Sequence, residues 1–398
     1  MAPHSPTPDR AGPVSMNQSE PLRPSPKPHQ AGEVEAFPTG RLTYLAPKPL
    51  PTGALPVDYG RAVGTVTGHY LDFGVGNSFA FAWQMVLGGP FLGFLMGAVF
   101  IPLLAFWGGF HFGNGWSDAT WAFWDVMSLS FWIGLGGGLF VLLLGLQTRW
   151  QMHGRVEKIV PTRFNRQRRE VCFVPEGHSE PIYIPWEELE AWVVEAQGVS
   201  EYGVRRQYGF GIGFRHPETG EQFNLEFETH GLPLSISNWE ALRAYMEYEV
   251  HTLEEIQPHG ELMASDEPQA PGAGPEEGVE FFHNARRNLH ARRKAGKVGW
   301  IYVFFWYLYH VMTFWTIPNR LVVWENAKMR RLSQKALPES MEEWSQPLPE
   351  SEWAQPSEKL KRQSRRVLEL QKADPQKPAT EIFAQVSEEF SGDASMTA

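Results

Sequence analysis

The side chains able to do chemistry are scattered along this chain, and their spacing decides against most reactions. Of thirteen histidines, His111 lies between two apolar runs, His153 just after the second, and His310 inside a third. No carboxylate shares the third run with His310, so a neutral, hydrogen-bonded imidazole is expected there rather than half of an ion pair. Glu187, Glu188 and Glu190 crowd one stretch. Adjacent acids usually form a solvated face, whereas general acid–base work needs carboxyls held at a reacting atom. The lone Cys172 excludes an intramolecular disulfide and a cysteine-based metal cluster. Set in a strand-like run, it is expected to be a small buried hydrophobe. The phosphate loop G-x-x-x-x-G-K-[ST], the zinc helix H-E-x-x-H, C-x-x-C and the nucleophile elbow G-x-S-x-G are all absent. GFGIGF (209–214) alternates glycine at period two and does not open a helix, so it is no dinucleotide loop. The expectation is a non-enzymatic protein with no catalytic residue, cofactor or metal.

The densest polar feature is TRFNRQRREVCFV (162–174), which places Arg163, Arg166, Arg168 and Arg169 just upstream of an apolar strand-like end. Arg149, Arg155 and Lys158 precede it and follow directly on apolar sequence. Residues 73–117 contain no Asp, Glu, Lys or Arg, and 126–147 form a second uncharged run. Segments 79–107 and 126–147 are each long enough to cross about 30 Å of hydrocarbon as a helix. They define an expected transmembrane hairpin over 73–148, joined by a short loop at 108–125. That loop holds Asp118 and Asp125 and no Lys or Arg. Lys/Arg asymmetry sets orientation, so the loop should face away from the cytoplasm and the arginines should hold both hairpin ends inside, where they can meet anionic headgroups. Gly89, Gly93 and Gly97 recur every four residues, as do Gly134 and Gly138. Small residues at that spacing put a smooth stripe on a helix and make a packing face, within the hairpin or between copies in a homo-oligomer.

The remaining segments complete the expected plan. Residues 1–55 hold twelve of thirty-two prolines and read as disordered. Residues 155–255 read as an antiparallel β barrel or sandwich closed by a helix. Phe210, Ile212 and Phe214 alternate, as do Phe223, Leu225 and Phe227 beyond a turn containing Thr219-Gly220, which signals a hairpin. Ser237 and Glu240 have capping-box spacing, and Trp239, Leu242, Met246, Val250 and Leu253 share one helical face. A linker is expected at 256–284. Within 285–335, an aromatic run at 298–317 is just long enough to span and carries basic residues on both sides. It is read as a third membrane-embedded helix, with a re-entrant path as the alternative. Residues 336–398 read as an acidic, mostly disordered tail. In it LPESMEEWSQP (337–347) is echoed by LPESEWAQP (348–356), either low-complexity drift or an acidic-aromatic docking element. Eleven of sixteen tryptophans sit in or beside the apolar runs, as interfacial indoles do. The net charge of −10 argues against nucleic acid as a partner.

The order of parts, with RFNRQRREVCFV leading to YIPWEELEAWV and WEALRAYME, resembles an uncharacterised proteobacterial inner-membrane family, a domain of unknown function found near type VI secretion loci. The resemblance implies a cytoplasmic pleckstrin-homology-like domain. It also implies a partner that is a toxin or secretion component, with the chain acting as an immunity or accessory protein. The alternative is an oligomeric transport or channel component. No established active site accompanies the family.

Overall fold

The structure is a computed structural model and describes residues 29–74, 78, 80–175, 178, 180–200, 203–215, 222–229, 231–257 and 275–394. It is α+β, built on two antiparallel sheets. The strands are β1 (Val34–Phe37), β2 (Gly40–Ala46), β3 (Val63–Val66), β4 (Tyr70–Phe73), β5 (Thr162–Asn165), β6 (Glu170–Phe173), β7 (Ile182–Pro185), β8 (Glu190–Ser200), β9 (Gly203–Arg215) and β10 (Gln222–Thr229). One sheet has the order β1-β2-β8-β9-β10, the other β3-β4-β5-β6-β7. The period-two pattern sets register: Phe214, Ile212 and Phe210 face Phe223, Leu225 and Phe227 across the β9–β10 pair. The expected turn at Thr219-Gly220 lies outside the described residues.

The apolar hairpin is an excursion from inside a sheet. β4 and β5 are paired neighbours, with Phe73 opposite Thr162, yet everything from residue 74 to 161 lies between them in sequence. That excursion comprises α1 (Ala80–Leu95), a π-turn at Met96–Phe100, α2 (Ile101–Phe112) and α3 (Trp116–Val156). Ala80–Phe112 and Trp116–Val156 are long and apolar enough to cross a bilayer, and their side chains are largely exposed. At 1.5 Å per residue they run about 50 and 60 Å. The expected loop at 108–125 is shorter than the sequence implied. The chain turns at 113–115, because Asp118 does not break the helix but accepts from Asn114 N and Nδ2 at 2.7 and 3.0 Å and caps it. The described part of the expected 79–107 segment, from residue 80, and the whole of 126–147 are thus parts of longer helical stretches, and Arg149 and Arg155 belong to α3. The π-turn sits one turn before Pro102, whose missing N–H cannot continue a regular ladder.

Helix α4 (Leu232–Met246) packs on the sheets through Trp239, Leu242 and Met246. Its cap is Gly231, six residues before the expected Ser237 cap, with Pro233 tolerated in the first turn. Ser237 is buried mid-helix, and Glu240 instead accepts from Thr52 N and Oγ1 at 3.1 and 2.7 Å. Val250 and Leu253 lie past the helix end, Leu253 opening the short α5 (Leu253–Ile256). The residues following are α6 (Pro275–Lys294), α7 (Trp300–Met312) and α8 (Ile317–Lys335). The linker expected at 256–284 therefore yields to helix from residue 275, and 258–274 lies outside the described residues.

Three further expectations are corrected. The 298–317 run is not one helix. α7 has thirteen residues, about 20 Å against the 30 Å of a hydrocarbon core, and Phe314 and Trp315 take positive φ (62° and 58°) before α8 turns back. The 1–55 segment carries β1 and β2, and β2 is sandwiched between β1 and β8. The 336–398 tail folds as α9 (Glu339–Trp344), α10 (Glu358–Ala373) and α11 (Ala379–Ala394). Leu360, Val367, Ile382, Phe383 and Val386 join Leu45, Phe73, Phe164, Trp186 and Trp239 in one core. Proline and charge content masked sparse apolar residues placed once per one or two turns. That spacing suffices when a preformed core receives them. The β unit thus extends on both sides of the expected 155–255.

Candidate functional site

Polar residues concentrate where α8 joins the hairpin to the β unit. Val322, Glu325, Met329 and Ser333 are buried at spacings of three and four, so α8 turns one stripe inward. Glu325 interrupts that stripe with a carboxylate whose side chain is 0% exposed. It lies against the foot of the hairpin. Trp83 Nε1 donates to Glu325 Oε2 at 2.7 Å, Arg149 Nη1 reaches the same oxygen at 3.4 Å, and His153 Nε2 lies 3.1 Å from Oε1. Lys328 Nζ is 3.3 Å from His153 Nδ1. An ammonium can only donate, so Nδ1 accepts and the neutral ring carries its hydrogen on Nε2, aimed at Glu325. Asn326 accepts from Ser78 N at 2.9 Å, next to this group. The α1 and α3 helices and α8 are thereby joined by a chain Lys328–His153–Glu325–Arg149, with the Arg149 guanidinium 5.3 Å from the Trp83 ring centre. It can hold a proton or a charge balance, and it fixes the tilt of the hairpin against α8.

One residue before the end of α8, Gln334 reaches a second cluster. Arg163 makes a bidentate pair with Asp72 (2.6 and 2.9 Å), and its other donors meet Ser345 Oγ (2.8 Å) and Gln334 Oε1 (3.2 Å). Gln334 Nε2 returns to Asp72 at 2.7 Å. The guanidinium lies 3.8 Å from the Tyr70 ring centre. Fork-to-carboxylate geometry of this kind is what makes an arginine tolerable in an interior.

The arginine strip is therefore committed to the protein, which corrects its reading as a headgroup contact. Besides Arg163, Arg166 donates to Gly68 O and Val250 O (2.9 and 3.0 Å) and lies over Tyr245 and Tyr248. Arg168 Nε donates to Trp344 O at 2.9 Å, and Arg169 pairs bidentately with Glu247 (3.0 and 2.8 Å). Arg155 and Lys158 are exposed. The acidic-aromatic repeat docks on the same strip. Trp344 Nε1 donates to Glu170 at 2.9 Å, Leu348 N and Ala354 N donate to Gln167, and Trp353 stacks on Tyr248 with ring centres 5.4 Å apart. The groove it fills belongs to its own chain.

The glycines divide by position. A Cβ on Gly97 would lie 2.5 Å from Gly134 Cα, and one on Gly138 2.8 Å from Pro90 O, so these three sit where the hairpin backbones touch. Gly89 meets Val141 at ordinary contact distance, and a Cβ on Gly93 meets nothing within 4 Å. His310 Nδ1 lies 2.8 Å from Trp306 O, and the ring packs on Trp306. His111 is exposed beside Trp107. Glu187 accepts from Ser357 N and Oγ (2.8 and 2.5 Å) at the start of α10, so it holds the tail instead of pairing with Glu188 or Glu190. Cys172 is fully buried, and burial pushes its thiol up to about 12. Among the described residues no three His, Cys, Asp or Glu side chains group as metal ligands.

The residues that sequence reasoning missed are Asp72, Glu247 and Glu325, the acids that answer the arginines. Glu325 was signalled by its place in the 322–325–329–333 stripe; Asp72 and Glu247 carry no local signal, because their partners are distant in sequence. No protein-family model matches this chain, and neither a curated protein nor a solved structure matches it.

Proposed function

We propose that the chain is a non-enzymatic inner-membrane protein whose hairpin crosses the bilayer twice and presents the two-sheet unit, pleckstrin-homology-like in plan, to the cytoplasm as a docking platform for a protein partner. The observation that carries this reading is the Phe73–Thr162 pairing: both ends of the apolar hairpin leave from adjacent positions of one sheet. If the hairpin is inserted, its feet share a side with that sheet. The charges support the assignment of side, since Asp118 and Asp125 occupy the tip while Arg149, Arg155 and Lys158 occupy the foot. The α7 helix, exposed and aromatic with Arg292 and Arg293 on the preceding helix, fits a segment lying in the inner interface against anionic headgroups.

The partner class follows from the family resemblance: a toxin or secretion component, with the chain as immunity or accessory protein. The test begins with single cysteines introduced at Gly115 and at Arg155 in a Cys172→Ser background. Labelling of the first from outside intact cells, and of the second only after permeabilisation, is the expected result; extraction of the chain by alkaline carbonate would overturn the anchor. For the partner, loss of the gene should sensitise cells to a neighbouring effector, and unchanged survival removes the immunity version. A second reading, an oligomeric transport component, is favoured by one observation, the Lys328–His153–Glu325 chain at the hairpin foot. Bilayer conductance above the lipid background would support it.

A further inference from the structure

The two ends of the chain together enclose a space with an unusual lining. β2 and the residues after it, α10 and α11 surround a half-open cavity of about 170 Å³, walled in part by His29, Lys48, Lys359, Gln363, Ser387 and Phe390. Two of these residues bring ammonium groups, and among the described residues that line it there is no Asp or Glu. Lys48 is half-buried, and the residue is held in the left-handed backbone region (φ 66°) that places its side chain there. Burial first, and then the neighbouring Lys359, depress its ammonium, with the Glu187 carboxylate offsetting part of this. Gln363 is 5% exposed, and its Oε1 is buried with no hydrogen-bond partner. The two ammonium groups repel each other at one wall, and an anion between them relieves that repulsion.

We infer that this cavity is a binding site for a small anion of the phosphate-monoester class, held by Lys48 and Lys359 through its charged oxygens. The volume sets the size. A cavity of about 150 Å³ accommodates benzene, so this one takes a ligand of roughly six to ten heavy atoms, too small for a nucleotide. His29, stacked at 3.8 Å on Tyr44, forms an aromatic edge to the opening. Because the walls come from residues 29–50 and 359–390, an occupant would bridge the N-terminal strands to the C-terminal helices and stabilise the native chain by mass action.

The test uses the full chain in detergent micelles, with inorganic phosphate and glycerol 3-phosphate as probes and sodium chloride at matched ionic strength as control. The expected result is a saturable rise in unfolding temperature with either probe. Lys359→Ala, on an exposed position that tolerates truncation, should weaken the apparent affinity roughly tenfold or more, as loss of a charged hydrogen bond does. Lys359→Glu should abolish the response, and Lys361→Ala, two residues along α10 and paired with Glu358, should leave it intact. Absence of a saturable rise, or an equal rise in Lys359→Glu, overturns the assignment. A response to anionic vesicles but to neither soluble probe also overturns it, by making the ligand a lipid surface. This inference does not depend on the membrane reading, since carbonate extraction and anion binding fail independently.

Discussion

At the scale of single residues, the most consequential group is Glu325. It is fully buried, and three separate donors converge on its two oxygens. Removing one partner of a buried ion pair typically costs about 3–5 kcal/mol, because the other charge is left uncompensated. Glu325→Ala should therefore lower unfolding free energy by about that amount in denaturant titrations, and adding Arg149→Ala should recover part of the loss. If the double variant were worse by the full sum of the singles, the pair would not be coupled. Asp58 offers a pH test. Burial raises its carboxyl, against hydrogen bonds from Val63 N, Gln257 Nε2 and Ala62 N that favour the charged form. A carboxyl with a raised folded value binds its proton more tightly when folded. Its contribution is thus fully present below the ordinary carboxylate range and lost as pH rises through the folded value. Asp58→Asn should flatten that segment of the stability-against-pH curve relative to the native chain. Cys172, with its thiol near 12 and no exposure, should resist maleimide at pH 8 until denaturant opens β6.

At the scale of elements, the tail has a defined task. Arg168 and Gln167 hold the stretch from Trp344 to Ala354, Glu187 holds Ser357, the cap of α10, and α10 and α11 then fill the core. Deleting 336–398 should do more than remove an acidic appendage. It uncovers the surface that Leu360, Val367, Ile382 and Phe383 bury, and the expected outcome is aggregation or rapid proteolysis of the β unit. Trp353→Ala, which removes the stack on Tyr248 and the indole hydrogen bond to Leu348 O, should cost about 1–2 kcal/mol and speed amide exchange around residues 344–357. What was legible in the sequence follows the same division. The hairpin and the β9–β10 pair were readable because their periodicity is local and uninterrupted. The tail and β2 were not, because isolated apolar residues in charged or proline-rich sequence declare themselves only against a partner surface. The arginine strip was legible as a feature but not as a role. RFNRQRREV specifies positive charge, whereas the acids that absorb it, Asp72 and Glu247, lie 91 and 78 residues away.

At the scale of the whole molecule, the hairpin is an insertion and the β unit a continuous scaffold assembled from chain segments on both sides of it. Paired antiparallel residues stand about 4.5–5.5 Å apart, a gap that a two-residue turn closes. Replacing residues 74–161 with Asn-Gly should therefore leave both sheets folded, the helical part of the circular dichroism falling while the strand part is kept. The shortened chain should still sediment with membranes through α7, whose exposed Trp300, Phe305 and Tyr309 remain. Loss of the sheets on excision would mean that the hairpin is part of the fold and not an insertion in it. The third apolar segment obeys the same geometry. Gln257 before it and Gln334 after it both hold β-unit residues, Asp58 and Asp72, so the chain leaves the β unit before that segment and returns to it afterwards.

The Phe73–Thr162 pairing also dictates an order of events during synthesis. β4 leaves the ribosome long before its neighbour β5, and the helices needed to complete the core are translated last of all. The apolar hairpin must accordingly form while its flanking strands are still unpaired. A chain released early, lacking α10 and α11, carries an open sheet and an unfinished core, which exposes it to proteolysis.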